Sequence, residues 1–272
     1  MKNFLKSIVV GAGGIAPGFS GSVLLVLFGL YEKTVEAIAT IFKNFKKNLL
    51  FLIPIFAGFG AGIFLFSKVM DYLLTNFEMY TRFAALGLVA GTLPLFYKEV
   101  KKKGFKRKYY IHILIAFLVG FSLFVFNSNL FPVIADPNFS QSIILGFVLA
   151  ASAVIPGISG AVVLSAIGLY ETFVNSVANM TFSILIPAGI GAVTGALILA
   201  LSMNILLKKY YTVTFAIIFG LFLAIIPNVL NESCYLGFNL ESYISIGLVV
   251  VGFLITFFLG GLKKTKATVK NK

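Results

Sequence analysis

The sequence has one cysteine, one histidine and no tryptophan in 272 residues, and only 11% of it is charged. Cys234 alone cannot close an internal disulfide, and no metal-ligand spacing surrounds it. His112 is the one imidazole available for an acid–base dyad, and no partner pattern points to it; it reads as a residue near a membrane boundary. No nucleotide-binding motif occurs, which argues against ATP-driven transport by this chain alone. No buried acidic pair is patterned for a multi-carboxylate metal site, and no nucleophile stands beside a base. The sequence therefore implies no catalytic residues, no metal and no cofactor. Acidic residues number only 9 against 22 bases, a formal charge of +13, but the bases cluster in short runs and line no face. They read as topology information, not as a nucleic-acid footprint.

What is abundant is apolar: 59% of the residues, with 30 phenylalanines. Soluble domains sit nearer about 45–50% apolar and about 25% charged, so lipid must replace water around most of this chain. Apolar stretches fall at 4–31, 49–66, 81–97, 110–131, 142–170, 182–207, 211–230 and 243–262. Lys2 and Lys6 before the first give it the look of a signal peptide, but Gly13-Gly14 and Pro17-Gly18 interrupt it and it continues to Tyr31, which favours a retained membrane segment. The 4–31 and 142–170 stretches are long, and each is broken near its middle, at Pro17-Gly18 and Pro156-Gly157.

Positive charge collects on the cytoplasmic side of short loops. Lys2 and Lys6 precede the first broken stretch and Lys33, Lys43, Lys46 and Lys47 follow it, so both its ends are expected inside and the segment re-entrant. Segments 49–66, 81–97 and 110–131 then cross, with a loop at 67–80 outside and the base-rich run Lys98–Lys108 inside. The second broken stretch is flanked by Asp136 and Glu171, with no base until Lys208, which places both its ends outside. Segments 182–207, 211–230 and 243–262 complete the chain, and both termini are cytoplasmic. Only Lys68 and Arg82 are bases on the outside in this arrangement. The alternative, with both broken stretches as single spanning helices, puts some base-rich loops outside.

The two broken stretches match each other. Ile15-Ala16-Pro17-Gly18-Phe19-Ser20-Gly21 and Gly29-Leu30-Tyr31-Glu32 correspond to Val154-Ile155-Pro156-Gly157-Ile158-Ser159-Gly160 and Gly168-Leu169-Tyr170-Glu171 at a constant offset of 139. With an offset of 133, Pro54, Gly58, Gly62, Gly87, Leu88 and Pro94 align with Pro187, Gly191, Gly195, Gly220, Leu221 and Pro227. The expected fold is an all-α polytopic membrane protein of two inverted-topology repeats, 1–138 and 139–272. Each repeat holds one re-entrant helical hairpin and three full crossings, and the odd number of crossings inverts the second copy. Paired broken helices in inverted repeats point to a transporter's binding site. Gly58-x-x-x-Gly62 and Gly191-x-x-x-Gly195 are assigned to close helix packing instead.

At the hairpin tips, Pro17 and Pro156 suit the first turn of a second half-helix, whose leading amides lack helical acceptors. Those amides around Gly18, Phe19 and Gly21, and around Gly157, Ile158 and Gly160, together with the hydroxyls of Ser20, Ser22 and Ser159 and the positive helix ends, suit an anion, above all a phosphate. Ala161 stands where Ser22 has its counterpart, and Ser152, opposite Gly13, has a weaker case. Ser20 and Ser159 can equally cap their half-helices. Glu32 and Glu171 are expected at the far ends of the second half-helices, as proton sites, gate partners or plain boundary residues. Arg82, just within the outer boundary, is a candidate phosphate contact. Lys68 reads as a snorkelling stem, and the Lys98–Lys108 run as a topology anchor near anionic lipid heads.

On its two Pro-Gly-x-Ser-Gly motifs and over essentially its whole length, the chain resembles the prokaryotic domain-of-unknown-function family 368 of polyprenyl-phosphate transporters. The resemblance implies a flippase that returns undecaprenyl phosphate from the outer to the inner leaflet of the cytoplasmic membrane for cell-envelope polymer synthesis. Its partners would be that lipid, or a dolichyl-type phosphate in an archaeon, and the membrane lipids. Proton or ion coupling, chain length and oligomeric state stay open. The competing readings are a small-anion secondary transporter, a phospholipid scramblase or lipid-modifying enzyme, and, last, a structural role.

Overall fold

A computed structural model describes residues 2–14, 21–125, 133–158, 160–230 and 234–268, and among these the regular structure is helical throughout. The helices are α1 (Lys2–Gly14), α2 (Gly21–Leu27), α3 (Tyr31–Ala39), α4 (Phe45–Asn76), α5 (Glu78–Lys101), α6 (Tyr109–Val125), α7 (Phe139–Val154), α8 (Gly160–Ala166), α9 (Tyr170–Ala178), α10 (Phe182–Lys209), α11 (Tyr211–Ile225) and α12 (Leu240–Thr268), with a 3-10 turn at Ile226–Val229. Four of them, α4, α5, α10 and the Leu240–Phe258 part of α12, are long and apolar enough to cross a membrane. Large apolar side chains such as Phe64, Val193 and Ile205 are exposed along them. A soluble protein would bury that surface; here lipid is the solvent, and the chain is a multi-pass membrane protein.

Two boundaries differ from expectation. The 67–80 loop is not a loop: α4 continues to Asn76 because residues 63–76 contain no Gly or Pro to stop it. The 211–230 segment is α11 followed by a 3-10 turn, because Pro227 sits at the turn's start and removes an amide from the α-helical ladder.

Each broken stretch is two helices, not one. α2 and α8 are only seven residues long, about 10 Å at 1.5 Å per residue. Both stop at a glycine in the left-handed region, Gly29 (φ 65°) and Gly168 (φ 72°). The stop is a Schellman cap: Leu30 N–H donates to Leu25 O at 2.9 Å and Gly29 N–H to Val26 O at 2.9 Å, and Leu169 N–H donates to Leu164 O at 2.9 Å. New short helices, α3 and α9, then start at Tyr31 and Tyr170, so Glu32 and Glu171 lie in first turns and not at the ends of α2 and α8.

The bases of the two broken stretches are tied. Lys6 Nζ donates to Phe28 O at 3.2 Å, which sets the start of α1 beside the end of α2. Ile134 N–H donates to Gly168 O at 2.9 Å, and Thr172 Oγ1 donates to Ile134 O, which does the same for α7 and α8.

The long helices pack as four pairs: α1 on α4, α7 on α10, α5 on α12 and α6 on α11. Glycine makes each pairing close. Gly58 and Gly62 lie against the Phe4 and Ile8 carbonyls, Gly191 against that of Ile143, Gly87 against that of Val249, and Gly220 against that of Ile113. A methyl group at any of these positions would run into backbone, so the packing role given to Gly58, Gly62 and Gly191 is what the contacts show. Gly195 is close to α7 in another way, with its added Cβ 2.9 Å from the Phe147 ring and 3.1 Å from the Ala150 methyl. These contacts advance together along both helices of each pair, so α1 runs parallel to α4 and α7 parallel to α10. α4 begins near the end of the bundle where α10 finishes, since Lys208 of α10 pairs with Glu36 of α3 at 2.7 Å. The core lies on α5 and α11, where the Phe96 ring meets Phe215, Phe219 and Phe222 at centroid distances of 6.2, 5.7 and 5.6 Å.

Candidate functional site

Between the two broken stretches lies a cavity of about 470 Å³. Both contribute to its wall. Gly14, at the end of α1, and Gly21 and Ser22, at the start of α2, come from the first; Ser152 of α7, Ile158 of the break and Gly160 of α8 come from the second. The first arms of both stretches run in parallel with long helices that point in opposite directions, so the breaks approach each other inside the bundle. They also touch. Ser22 Oγ donates to Ser152 O at 3.5 Å, and the buried Tyr31 hydroxyl donates to Val154 O at 2.8 Å.

The second break has a different local geometry from the expected one. Pro156 does not open α8. It is the second residue of a turn whose third is Gly157, at φ 87°, and Ile158 N–H donates to Ile155 O at 3.4 Å. Proline followed by left-handed glycine is the type II pattern. Gly157 is seated on α11, where an added Cβ would lie 2.9 Å from Phe222 N and 3.0 Å from Ile218 O. The Ile158 amide is therefore partly spent, and the amides without helical acceptors are those of the first turn of α8, from Gly160 on. Pro17, Gly18, Phe19, Ser20 and Ser159 lie outside the described residues.

The remaining candidates separate. Glu32 joins a cluster at the lysine-rich end: Lys102 Nζ lies 3.3 Å from Glu32 and 2.5 Å from Glu99, and the Tyr211 hydroxyl donates to Glu99 at 2.7 Å and to Glu32 at 3.2 Å. Burial pulls the Lys102 ammonium down, but the hydrogen bonds and charges of Glu99 and Glu32 outweigh it and hold it above the ordinary lysine range. Glu171 is exposed and makes no ion pair among the described residues. Arg82 is not among the residues lining the cavity. Its Nε lies 2.9 Å from Glu78, and its Nη1 donates to Val229 O at 3.1 Å.

Several cavity residues carried little or no functional signal in the sequence. Tyr31 belongs to the repeated Gly-Leu-Tyr-Glu element, which was the available hint. Ser152 had the weaker case, yet it faces the cavity and packs on Gly160, where an added Cβ would lie 2.8 Å from its Oγ. Phe56 and Phe59 of α4 also line the cavity, and only the break in the neighbouring stretch hints at them.

A family model described as VCA0040-like, undecaprenyl phosphate translocase-like, matches residues 2–102 and 40–243. A protein of Staphylococcus aureus (strain NCTC 8325 / PS 47) named polyprenyl-phosphate transporter is 26% identical over 272 residues, covering 95% of both chains. One of the same name from Vibrio cholerae serotype O1 is 25% identical over 244 residues, covering 84% of this chain and 77% of that one. No solved structure matches the chain.

Proposed function

The chain belongs to the VCA0040-like, undecaprenyl phosphate translocase-like family and is a transporter, not an enzyme; on that premise we propose that it carries undecaprenyl phosphate from the outer to the inner leaflet of the cytoplasmic membrane. There the carrier lipid returns to cell-envelope polymer synthesis. The observation that carries this proposal is a cavity walled by both broken stretches.

The two halves, 1–138 and 139–272, act as inverted repeats with re-entrant hairpins. Support comes from the matching glycine stops of α2 and α8, the tied hairpin bases and the corresponding pairs α1–α4 and α7–α10. The phosphate sits between the tips, Pro17 to Ser22 on one side and Pro156 to Gly160 on the other. Unpaired polar head groups are too costly to drag through hydrocarbon. First-turn amides of α2 and α8 and the hydroxyls of Ser20, Ser22 and Ser159 replace the head group's water. Arg82 belongs to the outer approach and not to the cradle.

Alternating exposure moves the head group between faces. In this reading the lysine-rich end is the cytoplasmic one, and Glu32, Glu99, Lys102 and Tyr211 with the Glu36–Lys208 pair are its clasp. Bringing an anion to the negative interior costs about 2.3 kcal/mol per charge per 100 mV. Coupling to a proton or another ion supplies it, with Glu32 and Glu171 as the acids that alternate in exposure.

Reconstitution into liposomes with labelled undecaprenyl phosphate, with and without a pH gradient, tests the proposal. The wild type is expected to change the leaflet of the label, and Ser20→Ala with Ser159→Ala to slow it about a hundredfold or more, at about 1.5–3 kcal/mol for each hydrogen bond to the charged phosphate, in a folded protein. Unchanged transport in the double variant removes the hydroxyls from the cradle. Uptake of inorganic phosphate without movement of the lipid overturns the cargo assignment.

A further inference from the structure

We infer that the cavity opens sideways into the bilayer past α4, and that Phe56 and Phe59 form the portal that holds the first isoprene units of the cargo's chain. The inference rests on the polyprenyl-phosphate reading and assigns the apolar part of the same site.

α4 carries two stripes. Leu52, Ile55, Gly58 and Gly62 are buried, the two glycines against α1, whereas Ile53, Phe56 and Phe64 are exposed. Phe56 sits at the edge between them: it lines the cavity and is still 56% exposed. A side chain that belongs to both the inner wall and the outer face marks a mouth. One turn further along, Phe59 lines the cavity itself, and its ring reaches the flanks of the first break. An added Cβ on Gly21 would lie 3.0 Å from that ring, and one on Gly14 would lie 3.5 Å from it. A single aromatic residue therefore separates the proposed cradle from the mouth.

The feature is not shared by the two halves. At the offset of 133 that aligns α4 with α10, Phe56 and Phe59 correspond to Gly189 and Ala192. Gly189 has open space where a Cβ would be. Rings needed only for the hairpin–helix packing common to both halves would recur in the second. A cavity of about 470 Å³ has the size of pockets for drug-sized molecules, and its wall is mostly apolar. It takes a head group and the carbons next to it, so a long chain must leave through an opening. Passing from lipid to protein, that chain gains little from excluding water, and recognition rests on contact between its methyl branches and the two rings.

The test places the photo-reactive residue benzoylphenylalanine at position 56 or, as a control, at the exposed position 64, in proteoliposomes containing labelled undecaprenyl phosphate. The expected result is an adduct at 56 that excess unlabelled undecaprenyl phosphate removes and phosphatidylglycerol does not, with no such competition at 64. Phe59→Ala is expected to slow lipid movement about tenfold, with Phe59→Leu restoring much of it. If the wild type moves the lipid but the adduct at 56 resists competition, or Phe59→Ala moves it at the wild-type rate, the portal is wrong and the cargo assignment stands. If the wild type neither moves nor captures the lipid, the cargo assignment itself has failed.

Discussion

Removing one oxygen atom at the lysine-rich end should loosen that end more than removing a whole charge. The Tyr211 side chain is buried, and its hydroxyl reaches Glu99 at 2.7 Å and Glu32 at 3.2 Å. Hydrogen bonds to charged groups contribute about 1.5–3 kcal/mol. Glu99 keeps 28% of its side-chain surface exposed, and after that screening about 1–2 kcal/mol remains, a factor of about 5–30 in a two-state equilibrium. Lys102 is half exposed, at 51%, and reaches Glu99 and the 44% exposed Glu32 from solvent. Exposed pairs of this kind contribute about 0–1 kcal/mol, at most about fivefold. Tyr211→Phe keeps the ring against Phe215, 4.6 Å away, and deletes only the hydroxyl. The assay uses Val35→Cys, buried and lining the cavity, in a Cys234→Ser background, labelled from the lysine-rich side with a membrane-impermeant maleimide. Tyr211→Phe should speed labelling about 5- to 30-fold, and Lys102→Ala by about fivefold or less. Equal rates in wild type and Tyr211→Phe, or a larger effect of Lys102→Ala, would refute the assignment of this cluster as the clasp.

Two further outcomes are expected. Gly62→Val forces a side chain into the Ile8 carbonyl and should cost about 1–3 kcal/mol or more, whereas Gly60→Ala, in open space on the same helix, should gain up to about 1 kcal/mol; thermal unfolding in detergent distinguishes the two. For Arg82, which forks between Glu78 and the Val229 carbonyl, lipid movement should fall in the order wild type, Arg82→Lys, Arg82→Gln, the last by about tenfold; equal rates for all three would remove it from the outer approach.

Much of the fold was legible because lipid-facing helices leave a coarse record. The apolar runs marked α4, α5, α10 and α12 directly, and Gly58, Gly62 and Gly191 announced close packing by spacing alone. The boundaries that failed did so where two local signals competed. Lys68 and Asp71 looked like a loop, but no residue there breaks a helix, and α4 ran on. At Pro156 the preference of proline for a helix's first turn competed with its preference for the second position of a turn followed by glycine, and the left-handed Gly157 shows that the turn won. Of the described residues that wall the cavity, Gly21, Ser22, Ile158 and Gly160 stood out in the sequence, and the apolar ones did not. Serine among glycines is conspicuous in a membrane segment; Phe56 and Phe59 are 2 of 30 phenylalanines, and nothing local singles them out.

The repeat also explains why the two ends of the molecule differ. Tyr31 and Tyr170 hold the same place in the duplicated motif, yet Tyr31 is 2% exposed and bonded across to Val154, while Tyr170 is 40% exposed. Glu32 is clasped and Glu171 exposed. α3 packs on α10, whereas α9 packs mainly on its own neighbours α8 and α10. If α9 swung onto α4 as α3 lies on α10, the mirror clasp would not form from the same chemistry. At the offset of 133, Lys102 corresponds to Tyr235 and Tyr211 to Glu78, so the far end brings Glu171 toward another acid and has no lysine at the matching place. The two ends thus differ in electrostatics, and the base held against Glu78 at the far end is Arg82. Under the proposed alternating access, that inequality is what sets one closed state apart in energy from the other.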